Sequence, residues 1–460
     1  MNFKYKKPKI KIMKHLKNYY IIGIFALLSF TSCKANTRSV VTDSTNTSMS
    51  KTEIVESIYI ATNKTDNNSL VGFARMTDGT MKPLGEFKTG GRGTGNIEIF
   101  DWGYDETHPL KDGIDPLISE YGVYKSENNR NIFVVNSGDG TISSFNVMPD
   151  RTLKLVDTKA AGDAHPLSIA SSKNLVYVAS AGTSKTPTPP FTGNLMGYIV
   201  DGNGKLTPIS GSKRDLKARP SCVAFTPDGK FLVVNELVTG LVKVYGVMPN
   251  GSLSKEPVSM AACPHDAKNG RWLAIPVGFD IVKKGNKNVV LVSEARFLDN
   301  KGMLREEKNK VPQSPLYSWQ TGSTSSFVID GEGIISLMSG DVYTGNNMEG
   351  GQIANCWVEA SQDGKTLWAA NALSSSITSY SIGNNGSLEL KNEKAYKDNS
   401  EMMFYSDLNL SNDGKYIYQL VGNKGSGIMF KVLPNGDLVK VSDFSSRHLP
   451  AVGTYGMTVL

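Results

Sequence analysis

The sequence predicts an all-β fold, a seven-bladed β-propeller whose ring is closed by pairing between the two ends of the chain. Three observations carry this prediction: a hairpin pattern that recurs seven times, a turn residue at a fixed distance in every copy, and a lone strand at the C-terminus. With 460 residues and 39% hydrophobic content, the chain is long enough to bury a large core.

The recurring hairpin consists of alternating apolar and polar residues, an aromatic residue, a turn and a second short strand. Such alternation is typical of strands that bury one face. The seven copies are "SLVGFARMTDGTMKPL" from 69, "TISSFNVMPDRTLKLV" from 141, "NLMGYIVDGNGKLTPI" from 194, "LVKVYGVMPNGSLSKE" from 241, "STSSFVIDGEGIISLM" from 323, "SITSYSIGNNGSLELK" from 376 and "GIMFKVLPNGDLVKVS" from 427. Their aromatic residues are Phe73, Phe145, Tyr198, Tyr245, Phe327, Tyr380 and Phe430. Each copy is therefore predicted to be the outer pair of strands of one blade.

The turn of each hairpin is marked six residues after the aromatic residue. Six copies have glycine at this position, at 79, 204, 251, 333, 386 and 436, and the remaining copy has Arg151. Asp-Gly and Asn-Gly pairs supply the positive φ angles that two-residue hairpin turns require. The sequence thus predicts a two-residue turn in each blade.

An inner pair of strands precedes each outer pair, most clearly in "CVAFTPDGKFLVVNE", "CWVEASQDGKTLWAAN", "SDLNLSNDGKYIYQLV" and "YGVYKSENNRNIFVVN". Four-stranded units repeated around an axis are typical of propellers, which hide their sheet edges by radial closure. The first unit, from residue 53, lacks an innermost strand, whereas "AVGTYGMTVL" at 451–460 is a strand with no successor. We therefore expect these last ten residues to complete the first blade.

Three insertions interrupt the repeat, starting at residues 90, 182 and 297. Long loops within a compact repeat are commonly functional or disordered. The second and third insertions follow the second strand of their blades, so we expect them on one face of the disc. The first begins with "GGRGTG", which we interpret as a turn between blades because no βαβ unit surrounds it.

The N-terminal segment predicts export. Seven lysines and no acidic residue precede the apolar run "YYIIGIFALLSF", which is typical of a signal peptide. Thr31-Ser32-Cys33 after this run resembles a bacterial lipobox, in which the cysteine is acylated, so Cys33 is the predicted lipidation site. Residues 1–33 are then signal peptide and lipobox, 34–52 a flexible polar tether, and 53–460 the propeller. We expect an exported, lipid-anchored protein of the cell envelope, with plain secretion as the alternative.

Charge and cysteine content exclude several functions. The formal net charge of +7 disappears without the seven N-terminal lysines, which leaves 43 basic and 43 acidic residues. No basic stripe remains for nucleic acid, so we expect none as a partner. Cys222, Cys263 and Cys356 show no zinc-site spacing, and we expect neither a metal nor an organic cofactor. The expected form is a monomer that binds a lactone or glycan.

The inner hairpins "PDGK-L-V-NE", each followed by "V-VY-V-PNG-L", resemble the seven-bladed lactonase family that includes 6-phosphogluconolactonase and carboxymuconate cyclase. The resemblance covers residues 53–460 and is closer to exported members, which share "TGG-GTG", "CWV---DG" and "D-LS-DG". The resemblance implies the propeller fold. It suggests lactonase chemistry without establishing it, because one propeller architecture serves many functions.

The resemblance also implies site residues. Catalytic members surround the carboxylate or phosphate of the ligand with a His, an Arg-His pair, a Glu and a later Arg. In this chain the His corresponds to His165 and the Glu to Glu236, whereas the Arg-His pair falls on Ser221-Cys222. The later Arg falls near Ala372-Leu373. Half of the polar set is therefore missing.

Spacing within the blades predicts a further polar cluster on one face of the ring. Counting back seven residues from the turn glycines places Cys222, Trp357 and Asp407 at equivalent positions, and the ends of second strands add Asn136, Glu236, Glu294 and Asn371. Arg296 could restore a missing cation. Glu236, His165, Asp407 and Glu294 are the candidate catalytic residues, and Arg296, Asn136, Asn371, Trp357 and Cys222 the candidate ligand-binding residues. One carboxylate or His165 would deprotonate water, and Arg296 or an Asn amide would stabilise the oxyanion.

Each candidate also has a structural interpretation. Glu236, Glu294 and Asp407 could serve only as hydrogen-bond acceptors, His165 could only shape a loop, and Cys222 and Trp357 could only fill space. No Gly-x-Ser-x-Gly motif supplies a nucleophile. Two functions therefore stay open: a lactonase-like hydrolase or isomerase that acts on a small acidic or sugar-derived ring, and a non-catalytic propeller that binds a glycan, small ligand or protein.

Overall fold

The computed structural model describes residues 52–95, 119–183, 192–216, 218–237, 239–269, 271, 274–296, 320–346, 351–401 and 403–460. The bodies of the three insertions, Cys33 and the predicted tether lie outside these residues. Secondary structure in the described part is almost entirely β-strand, with one 3-10 turn at Ala267–Asn269.

In the described ranges, twenty-nine strands form seven sheets. In chain order they are β1 Ile54–Ala61, β2 Ser69–Met76, β3 Met81–Lys88, β4 Val123–Lys125, β5 Asn131–Asn136, β6 Thr141–Val147, β7 Leu153–Ala160, β8 Pro166–Ser172, β9 Leu175–Ser180, β10 Asn194–Val200, β11 Leu206–Pro208, β12 Arg214–Asp215, β13 Pro220–Phe225, β14 Phe231–Glu236, β15 Leu241–Gly246, β16 Ser259–Ala262, β17 Ala274–Lys284, β18 Lys287–Arg296, β19 Ser323–Ile329, β20 Ile335–Tyr343, β21 Asn355–Ala360, β22 Thr366–Asn371, β23 Ser376–Ile382, β24 Leu388–Lys397, β25 Tyr405–Leu410, β26 Tyr416–Val421, β27 Ser426–Val432, β28 Leu438–Ser445 and β29 Met457–Val459.

Each sheet is one blade of antiparallel strands. From the inside outwards, blade 1 is β29-β1-β2-β3, blade 2 is β4 to β7, blade 3 is β8 to β11 with β12 beside β10, blade 4 is β13 to β16, blade 5 is β17 to β20, blade 6 is β21 to β24 and blade 7 is β25 to β28. The innermost strands neighbour one another in the order β4, β8, β13, β17, β21, β25, β29 and back to β4. The predicted seven-bladed propeller is confirmed.

The C-terminal strand closes the ring, as the lone strand at the end of the sequence predicts. Ile58 pairs with Val459 and Ile60 with Met457. The amide of Ser57 donates to the carbonyl of Leu460, and the amide of Leu460 donates back, both at 2.8 Å. Met457, Val459 and Leu460 are buried, so closure also removes apolar side chains from water.

The two faces of the disc differ. We call the upper face the one where innermost strands begin and where the loops between second and third strands lie; the lower face carries the tight turns inside each hairpin. The residues that flank the three insertions, Thr89 and Ser119, Gly182 and Thr192, and Arg296 and Gln320, all lie at upper-face strand ends. The "GGRGTG" segment is a turn between blades 1 and 2, with the Gly93 amide donating to Lys64 and the Gly138 amide donating to Arg92.

The hairpin turns differ from the predicted type. In blade 1 the amide of Gly79 donates to the carbonyl of Met76, and the amide of Met76 donates to the carbonyl of Thr80, each at 2.9 Å. The same pair of bonds recurs in all seven hairpins. Only the last turn residue has positive φ, 82° at Gly79, so these are three-residue turns with a glycine bulge, and the predicted two-residue turns are wrong.

Arg151 adopts the same backbone conformation as the six glycines, with φ of 66°. Its carbonyl accepts a 2.6 Å hydrogen bond from the Tyr59 hydroxyl of the preceding blade. The equivalent carbonyls of Gly251 and Gly436 accept from Tyr177 and Trp368. The turn thus joins neighbouring blades, and the seven aromatic residues of the third strands are all buried between them.

Deleting Met457–Leu460 should open the ring. The deletion exposes the edge of β1 and removes three buried apolar side chains, each of which contributes about 1.5–3 kcal/mol, from a total stability of about 5–15 kcal/mol. We expect loss of cooperative thermal unfolding, measured by circular dichroism. Val441→Ala at an exposed site of β28 is the control and should change little. Cooperative unfolding of the truncated chain at the parental temperature would show that ring closure does not depend on β29.

Candidate functional site

The centre of the channel is closed by side chains. The strand register places Cys222, Trp357 and Asp407 at equivalent positions of β13, β21 and β25, as the spacing predicts. In blades 1, 2 and 5 the equivalent positions hold Gly456, Gly122 and Gly278. Glycines are required there because a Cβ would overlap the Tyr455 ring at Gly122 and the Glu120 carboxylate at Gly278.

Glu120, Tyr455 and Trp357 fill this central space. The Glu120 amide donates to the Ser221 carbonyl of blade 4 at 3.1 Å, and Glu120 Oε1 accepts from the Val358 amide of blade 6 at 3.3 Å. Trp357 Nε1 donates to the Ser119 carbonyl at 2.8 Å, and the Tyr455 hydroxyl lies 2.8 Å from Ser119 Oγ. Trp357 is fully buried, so its ring presents no open face to a sugar.

Glu120, at the centre of the channel, has a raised pKa. Burial raises the pKa of Glu120 well above its usual range, and the charges of Asp407, Asp280 and Glu359 add to that effect. Asp407 is buried and accepts from the Gly456 amide at 3.3 Å. Burial also raises the pKa of the Cys222 thiol well above its usual range, so this thiol stays protonated and is a poor nucleophile.

Glu236 is buried at the upper end of β14 and carries its own counter-charge. Lys243 on β15 donates to Glu236 Oε1, and Thr239 Oγ1 donates to Oε2 at 2.7 Å. Lys243 was not among the predicted residues, because its position on the next strand is visible only in the register that pairs β14 with β15. The pair satisfies Glu236 in a way that does not require a ligand.

Glu294 and Arg296 form a buried network in blade 5. Arg296 Nη2 lies 2.5 Å from Glu294 Oε2 and 3.0 Å from Asp341 Oδ1, and it donates to the Pro264 carbonyl at 2.9 Å. Arg271 binds both oxygens of Asp341. Burial alone would raise the pKa of Asp341, but hydrogen bonds from Arg271 and the charges of both arginines hold that pKa below its usual range. Arg296 is therefore occupied as a structural cation.

The two predicted asparagines connect strands. Asn136 Nδ2 donates to Ser143 Oγ at 2.8 Å, and its Oδ1 accepts from Asn68 at 3.0 Å. Asn371 Nδ2 donates to Thr378 Oγ1 at 2.9 Å. Both are fully buried at the same position of their blades as Glu236 and Glu294. The structure thus brings these four to one face, as expected, and surrounds each with partners from its own and neighbouring strands.

His165 lies at the upper end of blade 3 in a strained backbone conformation, with φ of 54°. Its Nδ1 lies 2.8 Å from the carbonyl oxygen of Gly182. A carbonyl only accepts, so Nδ1 carries the proton of the neutral ring and Nε2 is left as the acceptor. Non-glycine residues in this conformation cost about 1–3 kcal/mol and cluster at functional sites.

Arg219 is a cation that the sequence analysis missed. It precedes Pro220 as His165 precedes Pro166, and Pro220 and Pro166 pair with the equivalent residues Glu236 and Ser180. Arg219 and His165 thus occupy equivalent positions of neighbouring blades. The sequence contains a sign of this equivalence, because both strands begin with proline after the residue in question. The family resemblance, however, placed the expected arginine two residues later, at Ser221.

A second polar region lies in the lower half of the channel. A cavity of about 310 Å³ is lined by residues that include Tyr121, Tyr124, Lys125, Ser171, Asp280, Glu359 and Asn409. Tyr124, Asp280, Glu359 and Asn409 share one register position with Ala224. Counting six residues back from Lys365 and Lys415 would have found Glu359 and Asn409 in the sequence. Burial and the Asp280 charge raise the pKa of Glu359 to about 8.

Within the described ranges, no three His, Cys, Asp or Glu side chains are grouped to hold a metal ion. The same part of the chain has no helix long and apolar enough to cross a membrane. Cys222, Cys263 and Cys356 are buried and form no disulfide.

Comparison with known proteins gives a family match and a fold match. Residues 119–267 match the family described as "Lactonase, 7-bladed beta-propeller". No curated protein matches the chain. The matched segment contains His165, Arg219 and Glu236.

Solved structures share the fold across most of the chain. A candidate 6-phosphogluconolactonase of Bacteroides fragilis is 16% identical with a TM-score of 0.58, over 88% of this chain and 98% of the other. The periplasmic gluconolactonase of Pseudomonas aeruginosa is 14% identical with a TM-score of 0.56, over 88% and 99%. A hypothetical selenium-binding protein of Sulfolobus tokodaii reaches 0.59 at 10% identity, over 89% and 94%. Together the matches support the seven-bladed β-propeller lactonases as the family that this chain resembles.

Proposed function

We propose that this chain is a lactonase-like hydrolase that opens a small acidic or sugar-derived lactone at the upper face, with His165 as general base. The observation that carries the proposal is the hydrogen bond from Nδ1 of His165 to the Gly182 carbonyl, which leaves Nε2 as a proton acceptor. The family match over residues 119–267 supports the reaction class.

The reaction requires one base and one cation. Nε2 of His165 would take a proton from water, the hydroxide would attack the lactone carbonyl, and the ring C–O bond would break. The proton on His165 would then pass to the alkoxide, and the product is a hydroxy acid. Arg219, at the equivalent position of the next blade, would stabilise the negative charge on the carbonyl oxygen. Arg296 is excluded from this role by its contacts with Glu294 and Asp341.

His165→Asn should lower kcat on the best lactone at least 100-fold, because a positioned general base contributes about 10²–10⁴-fold. The measurement is acid release from a panel of aldonolactones and muconolactones, followed with a pH indicator. His448→Asn is the matched control, because His448 lies near the surface with Nδ1 2.8 Å from Glu86 Oε2, away from the upper-face site. Equal rates for His165→Asn and the parent would remove His165 from the mechanism.

A non-catalytic propeller that binds a glycan, small ligand or protein partner is the second candidate. It is favoured by the internal pairing of the upper-face charges, Glu236 with Lys243 and Glu294 with Arg296. If the parent protein opens no lactone in the panel, this candidate replaces the first, and a glycan array is the next measurement.

Glu236→Gln should reduce the free energy of unfolding by about 3 kcal/mol, because loss of one partner from a buried ion pair costs about 3–5 kcal/mol. Adding Lys243→Met should recover most of this loss, since no buried charge then lacks a partner. Urea unfolding measures both effects, with exposed Glu256→Gln as control. Lactonase activity that survives in the double variant would assign Glu236 a structural role; unchanged stability of Glu236→Gln would contradict the described pair.

We also propose that the protein is exported and anchored to a membrane through an acylated Cys33, and that it functions as a monomer. The lysine-rich start, the apolar run and Thr31-Ser32-Cys33 support export and the lipid anchor.

Cys33→Ala should move the protein from the membrane fraction to the soluble fraction and abolish incorporation of a labelled fatty acid. Ser44→Ala, in the predicted tether, is the control and should leave both unchanged. Labelled fatty acid on Cys33→Ala would contradict acylation at this cysteine.

A further inference from the structure

The lower half of the channel is a cavity that the proposed function does not use. It lies beyond the closure formed by Glu120, Trp357 and Tyr455, and exposed Glu127 is among its lining residues at the lower face. Its volume of about 310 Å³ falls at the small end of ligand pockets, which span about 300–1,000 Å³. The cavity can therefore hold one small molecule.

The cavity has more acidic than basic groups. Asp280 and Glu359 come from adjacent blades, and Asp280 Oδ2 accepts from the amide of Ala360, the residue after Glu359, at 2.9 Å. Among the described lining residues, Lys125 is the single basic one, against Asp280, Glu359 and Glu127. Its ammonium donates to the Val459 carbonyl at 2.7 Å and to Asn412 at 3.3 Å. A second positive charge in the cavity would favour the carboxylate form of the acidic groups that Lys125 does not balance.

Two buried oxygen atoms of the lining have no hydrogen-bond partner. They are Oγ of Ser171, whose residue is 7% exposed, and Oδ1 of Asn409. Buried polar atoms without partners are rare in folded proteins, so each indicates a missing donor or acceptor. Oδ1 of Asn409 is an acceptor, which fits an N–H donor.

Aromatic rings complete the lining. Tyr121 and Tyr124 stand edge to face with centroids 5.2 Å apart. The Tyr121 hydroxyl donates to the Phe279 carbonyl at 3.1 Å, which fixes the ring. The backbone of Tyr121 is strained, with φ of 65°. Aromatic faces beside carboxylates attract organic cations.

We propose that this lower cavity binds a small organic cation, an alkylammonium or guanidinium group, between Asp280 and Glu359. The carboxylates would accept its N–H groups, Asn409 and Ser171 would supply further acceptors, and the tyrosine rings would contact its apolar part. The site is separate from the upper face and does not depend on lactonase activity.

The test is isothermal titration of the full-length protein with methylguanidinium, which stays charged over the whole pH range as the arginine side chain does. We expect saturable binding that weakens at least tenfold in Glu359→Gln, a substitution that keeps the size of the side chain. Lys125→Met should bind more tightly, because it removes the competing ammonium. Glu389→Gln, at an exposed site of β24, is the matched control and should bind as the parent does.

Proton release gives a second readout. A bound cation favours the carboxylate form of Glu359, whose pKa is about 8, so binding near pH 7 should release protons and tighten as the pH rises from 6 to 9. This dependence should be reduced in Glu359→Gln. The other titratable groups that line the cavity with this carboxylate are Asp280, Lys125, Tyr121, Tyr124 and Glu127, and beyond them lies Glu120, on which both Glu359 and Asp407 act.

Three results would overturn the proposal. One is the absence of saturable binding in the parent protein. Another is equal affinity in the parent and Glu359→Gln, with thermal unfolding confirming that both are folded. The third is a control titration, with sodium chloride at the same ionic strength or with glucose, that gives the same saturable binding curve as methylguanidinium. Opposite effects of Glu359→Gln and Lys125→Met cannot arise from a common loss of folding.

Discussion

The antiparallel pairing of β29 with β1 is the contact on which the rest of the structure depends. In this chain the innermost strand of blade 1 is supplied by the C-terminal end, so the seventh interface between blades forms only when β29 pairs with β1. The pairing from Ser57 to Leu460 therefore ties residues about 400 positions apart. A contact with so large a sequence separation has a high loop-closure entropy. This cost is offset only when the intervening blades are already packed, so we expect the pairing to form late in folding.

Closure of the ring brings polar side chains of the blades toward one axis, where charged groups become buried. The two ends of the channel differ in how these charges are balanced. At the upper face, Glu236 and Glu294 are matched by Lys243 and Arg296, so that buried charge is neutralised within each blade. In the lower channel, Asp280 and Glu359 of adjacent blades and Glu127 line one cavity, and Lys125 is the only basic side chain among its described lining residues. The same architecture thus holds a balanced set of charges at one end and an unbalanced set at the other.

Repetition made the fold predictable and the site only partly so. The third-strand aromatics and the turn residues repeat in sequence, and so does the register that aligns Cys222, Trp357 and Asp407. The turn type was wrong because Asp-Gly pairs suit several hairpins, and only the hydrogen bonds of Met76 and Gly79 distinguish them. Glu120 escaped prediction because it follows a long insertion and crosses the axis, and Lys243 because its partner lies on another strand. Contacts between strands, whether within one blade as for Lys243 and Glu236 or across the axis as for Glu120, are not encoded in the spacing along one strand.

The described chain enters the propeller at the lower face. The Thr77 amide donates to the Glu53 carbonyl at 3.0 Å, and the Glu53 amide donates to Thr77 Oγ1 at 3.3 Å, beside the lower-face turn of blade 1. The closure formed by Glu120, Trp357 and Tyr455 separates the two faces of the disc. A solute that enters the acidic cavity from the lower face therefore has no path through the channel to His165, and the two ends of one channel can meet different molecules without exchanging them.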